Sequence, residues 1–378
     1  MAEHSHTTLM TGATGFLGSF ILRDLLRRDR RVVAMLRPPL DASKRRLTDL
    51  LAKLDVDVAH ETTRGRLLLV SGALPGPLPE PDWGTTDDIL ACAASLQLFS
   101  NGNCEPHQTN VDGTVAMLDW ARRHGVTRYH AVSTAYVCGS YTDSVREVFH
   151  TPRPEFKTEY ETSKWLAELL LDQWGQESGN VLTVFRPSFL VGDSTSGYTT
   201  QFGGFYQLSR LVSLLKTQFG NGDRDAHTHI PLRIPGRPED PQNFVPVDFA
   251  SRIITEVVLA PELNGRIYHL TDPEPLTNDD VKRHLEAYFR MHGGYFVDPA
   301  HADEEAKKPS LAESLLWEKY DVVTPRVSHN PRFDQANTRE VMQATGVGFP
   351  SIDQDRFFTL LDYAVAQNWG QRSNGKHT

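Results

Sequence analysis

The segment Thr11-Gly12-Ala13-Thr14-Gly15-Phe16-Leu17-Gly18 lies between a short apolar run and an Arg-rich stretch with helical periodicity. Its three glycines recur at three-residue steps. A strand that turns this tightly into a helix sets backbone amides and a helix N-terminus where phosphate oxygens can be held. In that reading Gly12 permits the turn, Gly15 lets the backbone approach a pyrophosphate, and Gly18 lets helix pack on strand. Thr14, Phe16 and Leu17 complete the loop. A chain that begins so is committed to a strand–turn–helix unit, and the next 170 or so residues repeat the alternation.

After the opening strand at 7–11, apolar runs at 32–36, 67–70, 89–92, 128–132 and 181–185 alternate with helical periods at 41–54, 106–124 and 158–178. This predicts an α/β fold, a Rossmann-type doubly wound parallel sheet. Past Arg186-Pro187 the texture changes: residues 192–243 are rich in Gly, Thr, Asn, Asp and Pro around one helical segment at 205–217. Helices at 247–259, 276–291 and 352–367 and a strand at 266–270 complete the expectation. The expected organisation is a dinucleotide-binding domain over 1–191, to which 244–270 returns, with a smaller, mostly helical substrate lobe made of 192–243 and 271–378.

Composition narrows the function. A net charge of -9 opposes a nucleic-acid or anionic-membrane surface, so neither partner is expected. Cys92, Cys104 and Cys138 form no CxxC pair, which suits a reducing compartment. No stretch approaches the roughly 18 apolar residues of a membrane span, and the N-terminus carries no apolar signal core. The expected setting is cytoplasmic, with the oligomeric state open.

Two further clusters carry chemistry. Arg37 follows the second strand, where an NAD enzyme usually presents an acid, and Lys44, Arg45 and Arg46 open the next helix. A guanidinium there suits a ribose 2′-phosphate, which favours NADPH over NADH. Downstream, Tyr160 and Lys164 stand one helical turn apart, so an ammonium can lower the pKa of a phenol, which is otherwise about 10. Ser133-Thr134 closes the fifth strand, within reach of the same substrate oxygen.

With these residues in place, the chain resembles an extended short-chain dehydrogenase/reductase, most closely the thioester reductase and fatty acyl-CoA reductase branch. The segments that carry the resemblance are TGATGFLG (11–18), CAASLQLF (92–99), NVDGT (110–114), VSTAYVCG (132–139) and YETSKWLAE (160–168). RPSFLVGDSTSG (186–197), NFVPVDFAS (243–251) and YHLTDPEPLT (268–277) extend it. The resemblance implies Thr134 as the hydroxyl that polarises the carbonyl, with Ser133 as its alternate. It implies Tyr160 as general acid and Lys164 as its activator and a nicotinamide-ribose contact. Ala93 and Pro187 would line the cofactor, and Asn110 would be a structural or proton-relay asparagine. Two departures stand out: Ala73 where relatives often have Asp, and Ala91 where they often have His. Both fall on the adenine side.

The expected function is therefore NADPH-dependent reduction of a carbonyl carbon, foremost an acyl thioester on a carrier protein or coenzyme A, to an aldehyde, which a second cycle could take to the alcohol. These residues leave no room for an adenylation or carrier domain, so a carrier is expected in trans. The rivals are a ketone or aldehyde reductase of the same extended type acting on a free small molecule, and a non-catalytic NADP-binding regulator. A sugar-nucleotide epimerase is disfavoured by the basic residues. No metal is expected, because His227 and His229 lack a third ligand and His4 and His6 sit near the terminus. Trp165 and Trp174 are expected in packing, with a channel role as the alternative for Trp165. Phe202, Phe205 and Tyr206 could line an acyl pocket or pack within the lobe. Asp193 and Asp223 are expected to cap loops.

Overall fold

The first strand, β1 (Thr7–Thr11), is buried throughout and runs into α1 (Phe16–Arg27). β2 (Arg31–Leu36), α2 (Leu40–Ala52), α3 (Val58–Thr63) and β3 (Leu67–Ser71) follow. Then come β4 (Asp88–Ala91), α4 (Gly113–Arg123), β5 (Arg128–Val132), α5 (Glu159–Gly175) and β6 (Val181–Pro187). This computed structural model describes residues 6–371 apart from 101, 142, 221–226, 298–307 and 324–329, and side chains are not described for 318–323.

The chain leaves the sheet through β7 (Phe189–Val191), α6 (Phe205–Phe219), β8 (Thr228–Pro235), β9 (Pro241–Gln242) and β10 (Phe244–Pro246). α7 (Val247–Leu259) brings it back to β11 (Ile267–Leu270). β12 (Leu276–Thr277), α8 (Asn278–Phe289), β13 (Met291–Val297), α9 (Leu311–Val323), α10 (Ala336–Thr345) and α11 (Gln354–Ala366) finish the fold.

The main sheet is ordered β11-β6-β5-β4-β1-β2-β3, with every neighbouring pair parallel. This is the doubly wound α/β sheet expected, and the order reverses beside β1. Two-residue alternation sorts its side chains. Met10, Val32, Ala34 and Leu36 face α1 and α7, whereas Leu9, Val33 and Met35 face Met117, Trp120, Leu171 and Trp174 of α4 and α5. Strands buried on both faces read as continuous apolar runs, which is why the sequence reveals them.

Beyond the sheet, α6, α8 and α11 pack around Phe205, Phe244, Phe357 and Leu361, while α9 covers Leu215, Ile230 and Met291. Here the structure holds something the sequence pattern does not anticipate: β8 and β13 pair in parallel, with an irregularity between His292 and Gly294. Pro231 and Pro235 in β8 and Gly293-Gly294 in β13 disguise the pair. Among the described residues each strand has one neighbour, so a missing N–H is tolerated on its open edge. The helix expected over 276–291 accordingly stops at Phe289, where Arg290 turns left-handed (φ 51°) into β13. α10 packs on α7 and β11, against the main sheet.

Candidate active site

The carboxyl ends of β1, β4, β5 and β6 open into a cleft of about 860 Å³ at the point where the strand order reverses. In open α/β sheets this crevice is where ligands bind. On one wall, β1 enters the glycine turn. Gly12 has φ +78°, and a Cβ there would lie 2.6 Å from the backbone N of Ala93. A Cβ on Gly18 would run into the carbonyl oxygen of Gly12. Any side chain at either position would push the turn off the sheet. Gly15 caps α1 with an ordinary φ of -83°, and the first turn of that helix carries no acidic side chain. The N-terminal amides are thus left to an anion.

The rim beyond β2 carries Arg37 and Arg46, both exposed and both lining the cleft. Ala73, the first departure, lines it too, while Ala91 lies on β4 away from the lining. On the opposite wall Ser133 Oγ is buried without a hydrogen-bond partner. An orphaned polar atom, a glycine cradle and a free helix N-terminus together fit a dinucleotide.

Across the cleft from the glycine turn, α5 brings up Tyr160 and Lys164. Its start is pinned locally: Thr158 Oγ1 accepts from Glu161 N at 3.2 Å, and Leu98 O accepts from Glu159 N at 3.0 Å. The Thr134 side chain, two residues past β5, lies close enough to the Tyr160 phenol to oppose the effect of burial on its pKa. It also approaches Pro187 O at 3.4 Å. Both side chains line the same cleft.

Lys164 behaves differently from the sequence expectation. Its Nζ donates to Val132 O at 2.8 Å. Burial, offset in part by the Glu168 carboxylate, lowers its pKa to about 8. The phenol of Tyr160 is raised, not lowered, to about 12, because burial outweighs the opposing effect of Thr134. Cys92, which lines the same cleft, is likewise pushed up to about 12 by burial.

Of the expected residues, Gly12, Thr14, Gly15, Phe16, Leu17, Gly18, Arg37, Arg46, Ala93, Thr134, Tyr160, Lys164 and Pro187 all line this cleft. Asn110 does not. Its Nδ2 donates to Ser95 O at 3.0 Å and Ser163 Oγ at 2.9 Å, and its Oδ1 accepts from Ser95 N at 2.8 Å. It lies behind the wall and ties the loop after β4 to the helix of Tyr160. Trp165 and Trp174 also stay off the lining, Trp165 donating to His150 O at 2.8 Å and Trp174 packing in the core. Asp193 Oδ1 caps its loop by accepting from Ser196 N at 2.9 Å. Asp223 and His4 lie outside the described residues. Among the described residues no cluster of three His, Cys, Asp or Glu side chains is placed to hold a metal.

The sequence reading missed one buried group. Arg186 and Glu168, 0% and 3% exposed, form a two-point ion pair at 2.6 and 3.0 Å, one helical turn beyond Lys164. Only the charged residues at strand and helix positions that should be apolar could have signalled it.

Comparison with known proteins places this geometry among nicotinamide-cofactor domains. The NAD-binding family described as male sterility protein matches residues 10–254. The aldehyde reductase lnaA of Aspergillus flavus is 26% identical over 94% of this chain and 35% of its own length. The terminal R domain of the myxalamid PKS-NRPS pathway superposes with a TM-score of 0.78 at 23% identity, over 98% of this chain and 92% of that one. An archaeal thiolation-reductase di-domain gives 0.73 at 18% identity, over 97% and 92%. These likenesses show a shared fold. The chain spans 7% to 36% of the length of the curated relatives it matches.

Proposed function

Because the chain belongs to the male sterility protein family of NAD-binding domains, we propose that it is an NADPH-dependent reductase acting on acyl thioesters borne by a carrier protein or coenzyme A. The observation that carries this reading is that Thr134, Tyr160 and Lys164 line one cleft together with the glycine turn. NADPH is preferred over NADH because Arg37 and Arg46 border the cleft where a 2′-phosphate would sit. The lobe formed by 192–243 and 271–378 takes the substrate.

The cofactor, when bound, supplies the hydride. The chain supplies everything else. Thr134 and Tyr160 donate hydrogen bonds to the carbonyl oxygen as negative charge gathers on it. A phenol with pKa about 12 stays protonated at neutral pH and serves as acid. Hydride addition to the carbonyl carbon gives a hemithioacetal. Its collapse breaks the C–S bond, passes the hydroxyl proton to sulfur, and releases thiol and aldehyde; a second NADPH could take the aldehyde to the alcohol. Lys164 holds the geometry through Val132 O and offers its ammonium to the cofactor ribose.

Free aldehydes or ketones could be reduced by the same groups, and the name of the Aspergillus flavus relative makes aldehyde reduction the second reading. Free thiol measured beside NADPH oxidation separates the two. Stoichiometric thiol is expected; NADPH loss without thiol would reject the thioester step.

A further inference from the structure

Beside the cofactor cleft lies a second, partly open cavity of about 100 Å³, bordered by α6, α8, β8 and β13. Leu208, Val212, Leu232, Ile234, Leu285 and Phe296 give its wall an apolar surface. Phe189 and Gly204 line both this cavity and the cleft. They are the partition between them: a Cβ on Gly204 would meet Phe189 Cε1 at 2.8 Å, so the ring lies directly on the glycine backbone. Phe189 stands two residues after Pro187, whose carbonyl touches Thr134, at most about 7 Å of extended chain. Its ring packs edge-on against Tyr136, another cleft residue, with centroids 5.4 Å apart.

We infer that this cavity receives the tail of a straight-chain acyl group whose thioester carbonyl sits at Thr134 and Tyr160, the Phe189 ring turning off Gly204 to admit the chain. The inference rests on the thioester reading above. The wall is hydrocarbon and adjoins the reaction centre, so an apolar tail placed against it gains the burial of both surfaces. The polar groups at the edge are engaged with one another, Gln242 with Asn278 at 2.8 Å and Lys282 with Glu286 at 3.2 Å. The occupant therefore needs apolar surface and no hydrogen bonds. A peptidyl or aminoacyl tail would bury amides without partners there, so the site selects hydrocarbon. A cavity of about 150 Å³ holds benzene, so this one takes about four carbons.

The test uses the full chain. Acyl-pantetheine thioesters from butyryl to dodecanoyl are assayed for NADPH loss and thiol, with the native protein, Val212→Phe and Phe189→Ala. Native kcat/KM should rise about fourfold per methylene across the carbons that enter the cavity, then level off. Val212→Phe fills the cavity and should collapse the octanoyl-to-butyryl ratio at least tenfold. Phe189→Ala removes the partition and should raise the ratio. A separate arm reads binding without turnover: 1-hexanol should raise the melting temperature of the native protein and not that of Val212→Phe. Turnover with an unchanged ratio in both variants overturns the inference, whatever hexanol does. Hexanol protection lost in Val212→Phe, with no turnover of any thioester, retains the cavity as an apolar-tail site and rejects the thioester reading instead. If Val212→Phe fails to fold, Phe189→Ala alone decides by the direction of its ratio.

Discussion

Lys164 Nζ donates to the carbonyl oxygen of Val132, the last residue of the fifth strand, at 2.8 Å. The amine is thus anchored to the strand that leads into Thr134, and the Thr-Tyr-Lys set is held by one strand and one helix. Such rigid mounting suits a site that must present two hydroxyls to one developing charge.

This anchoring sets a pH dependence. Lys164 carries its proton below about 8 and loses it above, because burial lowers its pKa; Tyr160 keeps its proton to about 12. The alkaline fall of kcat/KM should therefore lie near pH 8 and belong to the amine. Tyr160→Phe should cut turnover about 10²- to 10⁴-fold while cofactor binding persists. A kcat/KM profile flat to pH 10, or near-native rates in Tyr160→Phe, would contradict the assignment.

Cofactor choice is open to direct measurement. Arg37→Ala should weaken NADPH binding by about 1.5–3 kcal/mol, toward the lower end because the side chain is exposed, and leave NADH nearly unchanged. Titration of both cofactors against both proteins checks it. A native protein that binds the two equally would remove the basis for preferring NADPH.

Stability should fall on the acid side. His130 is fully buried on β5 with neither ring nitrogen hydrogen-bonded, and burial lowers its pKa to about 4. The unfolded chain takes up that proton near the ordinary 6.5, so the unfolded state binds more protons between about 6.5 and 4. Stability is present above 6.5 and drains as pH falls, by at most about 1.4 kcal/mol per pH unit for one proton. Thermal melts between pH 7 and 4.5 should show the fall, shallower in His130→Phe. Parallel slopes for the two proteins would refute the role of His130.

What the sequence disclosed was local. The glycine turn, the fully buried strands and the Tyr160–Lys164 spacing each depend on residues within a few positions, where backbone geometry fixes what touches what. Distant pairings stayed hidden. β8 and β13 meet across α8, and their prolines and glycines carry no strand signal. The motif leaves Asn110 open between a structural and a proton-relay role, and only the fold shows its amide joining Ser95 to Ser163. The direction of the Tyr160 shift also depends on burial, which spacing does not report. Phe189 acquires significance only once Gly204, from a different element, is seen against its ring.

The Glu168–Arg186 pair gives the last prediction. Arg186 is wholly buried on β6 and Glu168 nearly so on α5, with bonds at 2.6 and 3.0 Å. Arg186 Nη1 also donates to Val148 O at 2.9 Å, so the pair ties the loop before α5 to the sheet. Glu168→Gln keeps the shape but leaves a buried guanidinium without its counter-charge, a change that costs about 3–5 kcal/mol. Its second effect is electrostatic. Burial lowers the Lys164 pKa, and the Glu168 carboxylate opposes that lowering. Without the carboxylate the amine should lose its proton at a lower pH, and the alkaline limb of kcat/KM should move toward neutrality. Arg186→Met with Glu168→Leu, which removes both charges, should recover much of the stability while keeping the shifted limb. A single variant that melts lower with its pH profile unmoved would leave the pair a packing device with no influence on Lys164.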